Sequence, residues 1–187
     1  MTSIKAILSD CDSRMNKAVD ALRNELAKVR TGRASTALLD TVKVEAYGSE
    51  MPINQVANLT VPDAHSIAIQ PWDKSMMGPI EKAIKAANLG LNPMNDGVLI
   101  RVPMPPLTED RRKEIVKLVK KFGEESKVAV RNIRRDAMEH LKKAEKESHF
   151  SEDERKRGED EVQKKTDGRI KDIDALVASK DKEVMAV

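Results

Sequence analysis

Apolar and small residues recur at Ile4, Leu8, Cys11, Met15, Ala18, Leu22, Leu26 and Val29. Steps of three and four, with one slip, draw a seam down one side of a helix spanning residues 2–30. The seam stops at "RTGRAS", where Gly32 is a helix-ending signal. From 41 to 102 the pattern shortens. "TVKVEAY" alternates Val42, Val44 and Ala46 before Gly48, and "QVANLTV" and "HSIAIQ" are β-branched runs bounded by Pro62 and Pro71. Ser75 is placed to cap a helix carrying Met76, Ile80, Ile84 and Ala87 that stops near Gly90, and "VLIRV" (98–102) reads as a last strand. The order expected is β-β-β-α-β.

After "PMPP" the helical period returns. Thr108, Glu109 and Asp110 form an N-terminus with acid in the first turn. Ile115, Val119, Phe122, Ala129, Ile133, Ala137, Leu141 and Ala144 mark its expected buried stripe. "SHFSEDE" interrupts it, and Ser151 with Glu154 has the S-x-x-E form of a capping box. A last helix is expected to bury Val162, Thr166, Ile170, Ile173, Leu176 or Val177, and Val184, weakened by Gly158 and Gly168.

None of these three helices can bury its stripe alone. The expected fold is therefore α+β: an elongated antiparallel three-helix bundle (1–30 and 107–187) carrying an inserted small α/β domain (31–106). If continuous, the second bundle helix would run ~55–60 Å at ~1.5 Å per residue.

Composition narrows the partners. Aromatics are 2% of the chain (Tyr47, Trp72, Phe122 and Phe150), too few for a base-stacking platform. Nucleic-acid binding would have to use phosphates and shape. The single cysteine, Cys11, lies on the first seam and reads as a small buried hydrophobe, with no disulfide or Cys-rich zinc site to build. Asp10 and Asp12 stand where a signal peptide or membrane span would need an apolar run, so a cytoplasmic location is expected, and the chain is expected to be a monomer.

Net charge is only +3, but it is unevenly placed. Residues 111–135 hold ten Lys/Arg against three Asp/Glu, a local charge of +7, while 1–110 and 136–187 carry −1 and −3. Within "VRNIRRDA", Arg131, Arg134 and Arg135 crowd one stretch of helix and repel one another mildly. At ~100° per residue Arg131 and Arg135 point away from the core, with Arg134 about a quarter turn from its centre. Lys113, Lys120, Lys127 and Lys142 are expected on the same outward face. Such a stripe is either a solvated face or a phosphate binder, with Lys127, Arg131, Arg134 and Arg135 as its candidate ligands.

The chain has no G-x-x-x-x-G-K-[ST], G-x-S-x-G, H-E-x-x-H or G-x-G-x-x-G, and His65, His140 and His149 show no metal-ligand spacing. No enzyme activity, metal or cofactor is expected. A helical adaptor for another protein is the alternative reading at this level.

Four segments, "KVRTGRAS", "NLGLNP", "IRVPMPPLTEDRRKE" and "VAVRNIRRDA", resemble the bacterial ribosome recycling factor family in order and spacing, and the likeness continues to "IDALVASKDKEV". The resemblance implies a three-helix bundle and a small α/β domain in a tRNA-like L. It also implies binding to the large ribosomal subunit after termination, and subunit separation driven by elongation factor G with GTP. In that family the arginines matching Arg131, Arg134 and Arg135 face ribosomal RNA. The interdomain joints match Arg30, Thr31, Gly32 and Arg33 on one side and Pro103, Met104, Pro105 and Pro106 on the other.

Overall fold

The computed structural model describes residues 3–186. In chain order the elements are α1 (Ile4–Lys28), β1 (Lys43–Ala46), β2 (Ser49–Pro52), β3 (Ala57–Asp63), β4 (Ser66–Pro71), α2 (Met77–Ala86), β5 (Met94–Asn95), β6 (Ile100–Pro103), α3 (Glu109–Lys146) and α4 (Glu152–Met185). They fall into two compact units, one of residues up to Val29 with Asp110–Ala186, the other Arg30–Glu109.

In the helical unit, Ser3 caps α1 by accepting from the Ala6 N–H, and Ser151 and Glu154 close a reciprocal capping box on α4. The side-chain contacts set the helix directions. Arg14 meets Asp136 and Ser126 meets the Ala18 carbonyl, so α1 and α3 are antiparallel. Arg134 meets Gln163 and Lys127 meets Asp174, so α3 and α4 are antiparallel as well. The 38 residues of α3 make it ~57 Å long.

The buried stripes differ in detail from expectation. In α1 the core takes Ile7 and Val19, where Ile4, Leu8 and Ala18 were expected. In α3 it takes Gly123, Ser126 and Val130 in place of Phe122 and Ala129. The reason is size. A Cβ on Gly123 would lie 2.6 Å from Val177 Cγ2, so α4 passes against bare backbone there and the stripe follows the small residues. Gly158, expected to be only a weakness, is buried against Leu141. Ile170, Leu176 and Val177 lie at the margin of the core. The buried hydroxyls are satisfied: Ser126 donates to the Ala18 carbonyl and Thr166 to the Val162 carbonyl one turn back.

In the small unit four strands precede the helix, not three. Tyr47 and Gly48, with φ of 50° and 82°, form the two-residue turn that folds β1 back onto β2. β2 ("SEMP") is polar, mostly exposed and ends in proline, which hid it. The other strands form an antiparallel sheet in the order β3-β4-β6-β5. Ile67, Ile69, Ile80, Ile84, Ile100 and Val102 fill its core. Ser75 does not cap α2. Its N–H is instead accepted by Asp73, which caps a short 3-10 turn before the helix.

Candidate nucleic-acid interface

Arg131 and Arg135 are exposed and Arg134 is half-buried on the flank toward α4. Among the described residues none of the three makes an ion pair, and four acids nearby are held by other cations. Asp136, next in sequence, is turned to α1 and held by Arg14 at 2.7 Å. Glu124 accepts from Lys127 at 3.4 Å, and Glu125 pairs with Lys121. On α4, Asp174 is taken by Lys127. Arg134 donates from Nη1 to Gln163 Oε1 at 3.2 Å.

Lys113, Lys120 and Lys142 are exposed as expected, and Lys127 is not. Its side chain is only 17% exposed and its ammonium bridges Asp174 of α4 and Glu124. The hydrogen bond to Asp174, followed by that to Glu124, raises its pKa. On the helical wheel Lys127 shares the flank of Arg134, and α4 comes close there because Gly123 has no side chain. Lys127 is a clamp between two helices, and its cation is already neutralised.

The remaining cationic face is a planar-fork donor set. Guanidinium groups offer several fixed N–H donors and match phosphate oxygens in pairs. Among the described residues no group of His, Cys, Asp and Glu could hold a metal ion. Among the described helices none is long and apolar enough to cross a membrane.

The candidate joints fall differently on the two sides. Gly32 has a φ of +78°, a region that side chains disfavour, and Arg30 and Arg33 are exposed about it while Thr31 is buried. On the return path Pro103 ends β6 opposite Ser66, and Met104 donates its N–H to the His65 carbonyl at 2.7 Å and enters the small unit's core. Pro105 and Pro106 are exposed and belong to no strand or helix. The sequence reading missed Gln163, which touches Arg134. The signal was available: Gln163 stands one turn before Asp167, in a helix whose aspartates recur every seventh residue.

Comparison with known proteins gives this face its setting. A family model described as ribosome recycling factor matches residues 22–185. A ribosome-recycling factor of Symbiobacterium thermophilum is 57% identical over 98% of this chain and 99% of its own. One of Burkholderia mallei is 55% identical over 99% of this chain and 100% of its own. Among solved structures, a solution structure of the ribosome recycling factor matches with a TM-score of 0.73 at 45% identity, covering 100% of both chains. The T. thermophilus factor, set with E. coli elongation factor G on the E. coli post-termination complex, matches with a TM-score of 0.62 at 47% identity over 97% of this chain and 98% of its own. With its length, helical unit and small sheet unit all matched, the chain belongs to the ribosome recycling factor family.

Proposed function

We propose that this chain recycles ribosomes after termination: its helical unit binds ribosomal RNA of the large subunit, and elongation factor G with GTP then drives the subunits apart. Arg131, Arg134 and Arg135 are the phosphate ligands. The observation that carries this is their shared lack of an ion pair among the described residues, with Asp136, Glu124 and Asp174 each held by another cation. Counterion release then supplies binding free energy that an internally neutralised face would lack. Relatives that span nearly the whole chain, one of them set on a post-termination complex with elongation factor G, support the partner assignment.

The role is non-catalytic and cytoplasmic: the protein works by binding and by transmitting force. That force passes between the units through the joint at Arg30, Thr31, Gly32 and Arg33 and the one at Pro105 and Pro106, with Pro103 and Met104 anchoring the second joint in the small unit. The test is light scattering of post-termination ribosomes with the chain, with and without elongation factor G and GTP. A scattering drop that needs all three components is expected. Binding without any such drop would mean a factor that holds ribosomes idle. A chain indifferent to ribosomes would be an adaptor for some other protein.

A further inference from the structure

Lysine or arginine stands at every seventh position along one flank of α3: Lys113, Lys120, Lys127 and Arg134. Aspartate stands at every seventh position of α4: Asp160, Asp167, Asp174 and Asp181. In antiparallel helices, seven residues forward on one and seven back on the other keep the same side chains face to face. One rung of this ladder is closed, with Lys127 Nζ 2.5 Å from Asp174 Oδ1. Beside it, Lys120 is the cation that offsets the burial raising the carboxyl of Asp181. The next rung along would join Arg134 to Asp167, and it is open. Gln163 occupies it, accepting from Arg134 Nη1 at 3.2 Å and donating from Nε2 to Asp167 Oδ1 at 2.9 Å.

The geometry points to Gln163 as a positioning residue that keeps Arg134 available to phosphate by holding Asp167 away from it. The inference deepens the proposed RNA interface and rests on it. Glutamine is a neutral spacer with one acceptor and one donor end, and both are used here. It satisfies the carboxylate and steadies the guanidinium without cancelling its charge. A carboxylate in direct contact would cancel it, as Asp174 does for Lys127. RNA would then have to break a surface ion pair before gaining the phosphate contact.

The experiment measures equilibrium binding of the full-length chain to purified large ribosomal subunits across a salt series, with circular-dichroism melting alongside. Gln163→Ala lets Asp167 close onto Arg134 and is expected to weaken binding about two- to fivefold, the strength of an exposed ion pair. It should also flatten the salt dependence toward that of Arg134→Ala. Adding Asp167→Asn to Gln163→Ala should restore affinity and slope, which a purely structural loss would not allow. In an Arg134→Ala background, Gln163→Ala should change nothing further. Normal binding by Gln163→Ala, failure of Asp167→Asn to restore it, or an undiminished loss without Arg134 would each overturn the positioning role. If Arg134→Ala itself binds normally, the RNA interface falls and the positioning role falls with it.

Discussion

Gly123→Ala places a methyl where the structure has no room. The new Cβ would lie 2.6 Å from Val177 Cγ2, about 1 Å inside a normal carbon–carbon contact. Val177 cannot swing aside cheaply, because a β-branched side chain in a helix holds one rotamer about 90% of the time. Overpacking of this kind costs about 1–3 kcal/mol, against a gain of about 1 kcal/mol from replacing glycine by alanine in a helix. The net is a destabilisation of up to about 2 kcal/mol. Gly168, in α4, has nothing within 4 Å of its added Cβ, so Gly168→Ala keeps the propensity gain and stabilises by about 1 kcal/mol. Urea denaturation followed by circular dichroism at a helix-sensitive wavelength should separate the two variants by about 1–3 kcal/mol. In a Val177→Ala background the sign at Gly123 should reverse. The reasoning is refuted if Gly123→Ala stabilises as much as Gly168→Ala, since α4 would then not be pressed against α3 at that point.

Three other outcomes follow from the same contacts. Lys127→Met should lower stability by about 1 kcal/mol or less and leave the salt slope of ribosome binding unchanged. Because the native pKa of Lys127 is raised above the ordinary 10.5, its contribution is fully present below that value, and the difference in melting between Lys127→Met and the parent should vanish as pH rises through the raised value. Ser151→Ala removes the hydroxyl half of the α4 capping box and should cost about 1 kcal/mol. The Glu154 carboxyl is lowered chiefly by the backbone N–H of residue 151, which Ser151→Ala keeps, and then by the hydroxyl. Glu154→Ala is therefore the variant whose difference from the parent is present above the ordinary glutamate pKa and fades on the acid limb of melting curves as pH falls through the native one. Gly32→Val should leave helix content and large-subunit affinity intact and slow subunit splitting, because valine is strained at a φ of +78°.

Much of this architecture is legible in the chain as written. Cys11, Met15, Leu22 and Leu26 give α1 its seam directly, and Ser151 with Glu154 announces the start of α4. Gly123, Ser126 and Gly158 escaped because a search for apolar residues passes over small ones, and they are buried for their lack of volume. β2 escaped because an exposed four-residue edge ending in proline carries neither alternation nor β-branched side chains. The arginine cluster could be read from its spacing, but its lack of ion pairs could not. That depends on Arg14 reaching Asp136 from 122 positions away, and on α4 delivering Asp174 to Lys127 and Gln163 to Arg134. Lys127 was misplaced for the same reason: the wheel gives its direction, and only the neighbouring helix says what fills that direction.

Large-subunit binding by a chain carrying Arg131→Ala, Arg134→Ala and Arg135→Ala together puts the phosphate-binding face to the test. Two of the three side chains are exposed and none has an ion pair among the described residues, so the variant should melt close to the parent. If each arginine meets a phosphate, the slope of log affinity against log salt should fall by roughly two to three units, and ribosome splitting should fail at physiological salt. A triple variant that folds, binds with the parent's affinity and keeps its salt slope would show that these arginines are only a solvated face.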